Sequence, residues 1–303
     1  MSELSAKKPV KEFSKRFIEI DVLRGMAVLG MIVFHLFFIL DYFDVVANEM
    51  YGGLWLVLAR SVQFIFLGLV GVSMALSWQK VERFGSESME GFDDGVRRFY
   101  KRQLKRAFLV FAMAMIVTLF TYLAAPDAYV KFGILHFIAL SVFLLMFLAG
   151  RKWLNLFLGF LALLVAFLIK DIAVSNPLLY PFGFDFIGIN TFDYFPIFPW
   201  ISVSLFGIFL GNVCYGGFER NLLEIFRKIF PTLTAGTAGK SLTIFSKCFP
   251  ARFEKITHYN CLSAVWRFLI CSFLFLGKHA LLIYMLHIPI ILLILYALGV
   301  VSV

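Results

Sequence analysis

The chain has 303 residues, 61% of them hydrophobic and only 16% charged, where a soluble domain carries about a quarter charged. Its apolar residues gather into blocks long enough to cross a bilayer, which takes roughly 20 residues, so a soluble enzyme is excluded. The net charge of +9 follows membrane topology and anionic lipid, which leaves no support for a nucleic-acid partner. A β-barrel would show short alternating segments instead of long apolar runs. The pattern predicts an all-α, polytopic transmembrane helical bundle of about seven spans, with interfacial amphipathic helices beside it.

In chain order, residues 1–17 form a basic tail with Lys7, Lys8, Lys11, Lys15 and Arg16, and residues 18–303 form one transmembrane domain. The predicted spans are 18–40, 54–78, 103–124, 132–149, 152–170, 195–215 and 280–301. Gly150-Arg151-Lys152 makes a tight polar hairpin between the fourth and fifth. The 171–194 loop holds Pro177, Pro181 and Asp193, and FDYFPIFPW then enters the sixth span, where two prolines predict a kinked or partly unwound mouth. Residues 218–230 read as an amphipathic helix in the headgroup region. In the 232–241 link, Gly239-Lys240-Ser241 lacks the upstream glycine and strand of a phosphate loop. Residues 262–277, interrupted by Arg267, read as an interfacial or re-entrant helix in preference to an eighth span.

Twenty-three Lys and Arg residues fall in the tail and in the loops on its side of the membrane, against Lys131 and Lys170 on the other. The positive-inside rule makes the N-terminus cytoplasmic in the plasma membrane and the 171–194 loop external. The N-terminal apolar stretch is too long, and carries too much charge, for a signal peptide. The four cysteines show no C-x-x-C spacing and read as free thiols.

The chemistry-bearing residues lie inside the spans, where a charged side chain is expensive and marks function by default. In EIDVLRGMAVLGMIVFH, Asp21, Arg24 and His35 share one helix face, Arg24 and His35 being eleven residues or about 16 Å apart. Arg60 and His136 are expected at the depth of His35, and the three make up the candidate catalytic set. Asp21, Arg24 and His287, the last in the inner half of the final span, are candidates for binding a cofactor. A simpler role for His287 is a bond to a carbonyl freed by Pro289. No histidine or cysteine spacing supports a metal site, so none is expected.

EIDVLRGMAVLGMIVFH resembles the opening motif of the heparan-α-glucosaminide N-acetyltransferase catalytic-domain family, especially its prokaryotic members. GILHFIALS, FDYFPIFPW followed by FGIFLGN, and GKHALLIYMLHIPI match in the same order, from about residue 16 to 301. The Arg–ten residues–His spacing also resembles the acyltransferase-3 family of membrane acyltransferases. The resemblance implies transfer of an acyl group, typically acetyl, from cytoplasmic acyl-CoA, most simply acetyl-CoA, to a glycan, glycolipid or similar acceptor at the outer side of the membrane. Asp21, Arg24 and Gly25 fall in the opening motif, His35 in the Arg–His spacing, and His136 and His287 in the later motifs. Lysosomal members place their histidine in the loop after the first span, which has none here. On this reading Arg24 holds a CoA phosphate, Asp21 orients it, His35 acts as general base or forms an acyl-histidine, and Arg60 steadies an oxyanion or an anionic acceptor. The competing class is a transporter or lipid exporter whose intramembrane Arg and His line a permeation or proton path.

Overall fold

The computed structural model describes residues 17–47, 50, 52–85, 89–186, 190–216 and 261–301. The basic tail before Phe17, the amphipathic 218–230 segment, the 232–241 link and His258 lie outside the described residues. The elements are α1 (Ile18–Tyr42), α2 (Gly53–Gly85), α3 (Met89–Ala124), α4 (Ile134–Leu145), α5 (Lys152–Ile169), a small far-end loop unit, α6 (Ile197–Cys214), α7 (Cys261–Lys278) and α8 (Ala280–Ala297). Six of them, α1, α2, α3, α5, α6 and α8, are long and apolar enough to cross a membrane. The protein is a multi-pass membrane bundle, in line with about seven spans.

The apolar blocks marked the spans, but the charged ends are helical too. α2 has 33 residues and α3 has 36, so at 1.5 Å per residue each reaches about 50 Å and overhangs a roughly 30 Å hydrocarbon core. Lys80, Arg83, Arg97, Arg98, Lys101 and Arg102 ride on these overhangs. Together with the start of α1 and the Arg151–Lys152 turn they define the basic end of the bundle.

Helix α4 is shorter than the 132–149 block, because side chains fix both of its limits. At its start the backbone N–H of Ile134 donates to Asp193 Oδ2 at 2.9 Å, so a carboxylate from a distant loop caps the helix. Beyond Leu145 the chain turns, and Asn155 Nδ2 donates to the carbonyls of Leu148 and Arg151, both at 2.7 Å. The same end is tied to α2 and α6. Gln79 donates to Gly211 O and Asn212 Oδ1, and Asn212 donates to Ala149 O at 2.9 Å.

At the opposite end, the 125–133 segment is laced to 190–196. Phe192 N–H donates to Ala128 O, Phe195 N–H to Phe132 O and Thr191 Oγ1 to Tyr129 O. α6 opens with an extended residue, Phe198 at φ −96° and ψ 129°, which is the unwound mouth that the two prolines predict.

The bundle centres on α2, which packs on α6, α1 and α3, while α5 backs α6. α2 and α6 meet backbone to backbone: a Cβ at Gly71 would strike Ser204 O, and one at Gly207 would strike Gly68 O. Small residues allow this approach where apolar lipid supplies no hydrophobic drive between helices. α7 lies antiparallel along α1, since Gly277 abuts the Asp21 carbonyl and Gly25 abuts the Phe273 backbone. Over 268–278 this helix packs along α1 as part of the bundle. Gly25 and Gly277 explain it, because they let the two backbones touch. α8 then runs parallel to α1.

Candidate active site

Three structural consequences follow from the polar face of α1. At the basic end, Arg24 Nη1 donates to Asp21 Oδ1 at 3.1 Å, an i,i+3 ion pair. Its Nη2 donates to Ser73 Oγ of α2, also at 3.1 Å. The guanidinium is thus held flat by two partners on two helices. Asp21, Arg24, Ser73, Ser77, Lys80 and Lys278 line a cavity of about 330 Å³ open toward this end. Arg106 of α3 lies within electrostatic reach of Arg24. Cations and hydroxyls from α1, α2, α3 and the end of α7 therefore converge where one carboxylate, Asp21, offsets part of the charge.

Further along α1, His35 meets His287 of α8, with ring centroids 4.7 Å apart and planes at 76°. His35 Nδ1 bonds Met31 O at 2.8 Å, and His287 Nδ1 bonds Tyr284 O at 2.7 Å. A carbonyl only accepts, so each Nδ1 carries the proton and each Nε2 keeps its lone pair. The Nε2 of His287 is buried with no hydrogen-bond partner among the described residues. An orphaned buried acceptor of this kind calls for an explanation, and a reactant proton is one.

The pair lies below the far-end loops. Tyr284, whose ring is 5.6 Å from His287, feels the charge of Asp193. Burial holds the Asp193 carboxyl up at about 6, against 3.8 ordinarily, although the Ile134 N–H pulls the other way. Tyr194 beside it is pushed up to about 12 by burial, and its hydroxyl donates to Tyr180 O at 2.7 Å.

A family model described as heparan-alpha-glucosaminide N-acetyltransferase, catalytic, matches residues 16–249. The chain belongs to that family. No curated protein and no solved structure gives a significant match. As a member of the heparan-alpha-glucosaminide N-acetyltransferase catalytic family the chain is a membrane acetyltransferase, and acetyltransferases in general imply an acyl-CoA donor. The match covers α1 to α6, with Asp21, Arg24, His35, Arg60 and His136. It stops before GKHALLIYMLHIPI, so His287 enters the site by its packing on α1 and not through the matched stretch.

The six sequence candidates separate in space. Asp21 and Arg24 are joined, and His35 is joined to His287 rather than to Arg60 or His136. Arg60 is exposed on α2; its Nη1 donates to Gln63 Oε1 at 3.1 Å and its guanidinium lies 5.3 Å above the Trp200 ring. His136 is buried on α4 between Phe111 and Phe132, with Thr118 Oγ1 at 3.4 Å. Among the described residues nothing bonds either of them to His35. Similar depth therefore did not mean a shared site: Arg60 turns toward α6, His136 toward α3, and His35 toward α8. His287 does bond a carbonyl, but that of Tyr284, whereas Pro289 frees Met285.

Sequence reading passed over Ser73, Arg106 and Tyr284. Ser73 and Ser77 are an i,i+4 polar pair inside an apolar span, a signal that was present in GVSMALS. In the sequence Arg106 reads only as one of the basic residues that set the topology. Nothing in the sequence links Tyr284 to Asp193. Cys214 and Cys271 are free.

Proposed function

We propose that this acetyltransferase takes its acyl group from acyl-CoA bound at the basic end, which faces the cytoplasm, and passes it to a glycan or glycolipid arriving from the far end. The observation that carries the reading is the His35–His287 pair, with His287 Nε2 unbonded among the described residues, lying about 16 Å along α1 from the Arg24 cavity. That separation is comparable to an extended pantetheine arm. Arg24, Lys80 and Lys278 suit CoA phosphate oxygens, and the two serine hydroxyls add neutral donors.

His35 Nε2 takes the proton of the acceptor hydroxyl or amine as that atom attacks the thioester carbonyl. The C–S bond then breaks, and the protonated ring returns the proton to the departing CoA thiolate. Asp21 holds the Arg24 fork in the plane that meets a phosphate, and offsets its charge when the cavity is empty. Arg60 and His136 take no part in these steps.

Vesicles carrying the purified protein should release free CoA thiol from acetyl-CoA only when acceptor is added. Movement of a labelled acceptor with no thiol release would return the transporter reading. A single cysteine placed in the 171–194 loop should react with an impermeant reagent from outside intact cells. Reaction only after permeabilisation would reverse the assigned orientation.

A further inference from the structure

Arg60 stands where an arginine is hard to account for. It lies seven residues into α2, about 10 Å along the helix, and its side chain is exposed on the outside of the bundle. Among the described residues no carboxylate pairs with it; its contacts are Gln63 and the face of Trp200. Trp200 is itself fixed between Phe64 at 5.6 Å and Phe195 at 5.1 Å. The cation is therefore presented on a rigid aromatic platform, facing the membrane, with donors to spare.

One turn further along α2, Phe64 also forms the upper wall of a groove between α1, α2 and α6, of about 370 Å³. Its floor runs from Phe64 past Gly68 to Val72, eight residues or about 12 Å, and every lining side chain is apolar. The groove exists because of Gly68. Its backbone is touched by Gly207, yet a Cβ at Gly68 would itself meet nothing within 4 Å. The close α2–α6 contact thus leaves an open slot on its membrane side.

We propose that this groove and Arg60 form one binding site for an anionic phospholipid, with the headgroup phosphate on Arg60 and one acyl chain in the slot. The charge of Arg60 selects the headgroup, and the direction of the groove, leading away from Arg60 along α2, matches a chain entering from that leaflet. The site lies on the α2–α6 side of α1, away from the histidine pair, and does not rest on the acyl-transfer reading.

The test is native mass spectrometry of the full chain released from detergent, titrated with phosphatidylglycerol or phosphatidylcholine of equal chain length. Wild type should retain one phosphatidylglycerol in preference to phosphatidylcholine by about fivefold, the worth of one basic residue near a headgroup. Arg60→Gln should bring the two lipids level. Gly68→Leu, whose Cβ would meet nothing within 4 Å, fills the slot and should weaken retention of both by about tenfold as buried methylenes are expelled. Should Gly68→Leu fail to fold, Leu210→Trp at the lower end of the slot makes the same test. Glycerol 1-phosphate, a headgroup with no chain, should not compete. An unchanged preference in Arg60→Gln, wild-type retention in the filled-groove variant, or competition by glycerol 1-phosphate would each overturn the site.

Discussion

The α2–α6 and α1–α8 seams run through the same bundle and are built on opposite principles. Between α2 and α6, Gly71, Ser204 and Gly207 bring main chains into contact, and the buried Ser204 Oγ is satisfied by Leu67 O at 3.0 Å. Between α1 and α8, two imidazoles meet edge to face, and one buried nitrogen has no partner among the described residues. The first seam spends its small residues on a fixed geometry. It too leaves a buried acceptor unpaired among the described residues, Gln79 Oε1, but an amide oxygen is no base, whereas the unpaired His287 Nε2 of the second seam carries a basic lone pair. A polar group left unpaired beside a rigid scaffold is the arrangement expected of a reaction centre, which must be held in place yet still have chemistry to do.

The largest effect that separates the two seams should come from His35→Ala. It should lower kcat by roughly 10²–10⁴-fold while leaving acyl-CoA binding and thermal stability near wild type. If the two rings act as one unit, His35→Ala/His287→Ala should be little slower than His35→Ala alone, as steady-state kinetics of both variants would show. Near-normal turnover in His35→Ala, with loss in His136→Ala, would move the base to α4 and leave the α1–α8 seam purely structural.

The reverse pattern is expected at the scaffold. Gly207→Val places side-chain atoms against Gly68 O and should destabilise by about 1–3 kcal/mol or more, seen as a lower unfolding temperature in detergent. Activity per folded molecule should fall far less than in His35→Ala.

A smaller effect is expected at the basic end. Arg24→Ala should raise the Kd for acyl-CoA by about 10- to 100-fold, as loss of a charge-assisted contact implies. Arg24→Lys should restore only part of it, lacking the planar fork. Isothermal titration with acetyl-CoA checks both, and unchanged affinity would leave Asp21–Arg24–Ser73 as a helix-pairing device.

The smallest concerns the cap of α4. The folded Asp193 carboxyl sits at about 6 against an ordinary 3.8, so the folded state holds its proton more tightly than the unfolded chain. The favourable contribution is full below pH ~4 and is lost as pH rises through ~6. Asp193→Asn keeps an oxygen for the Ile134 N–H and removes the titration. Its unfolding temperature should decline less than that of wild type between those pH values in a pH-scanned melt.

Much of this molecule is written locally. The apolar blocks placed the membrane helices, because a bilayer demands about 20 apolar residues wherever it is crossed. The phase of Asp21, Arg24 and His35 set one polar face on α1, since helical periodicity needs no partner. The prolines before Trp200 marked the unwound mouth of α6, and the opening motif gave the family. Which helix each polar residue would meet was not written there. Arg24 found Ser73 and His35 found His287, while Arg60 and His136, expected at the same depth, turned to other neighbours. Depth along the membrane is a one-dimensional quantity that each span fixes for itself. Azimuth is decided only when glycines such as Gly25, Gly71, Gly207 and Gly277 let particular backbones touch, and those contacts join residues up to about 250 positions apart in the chain.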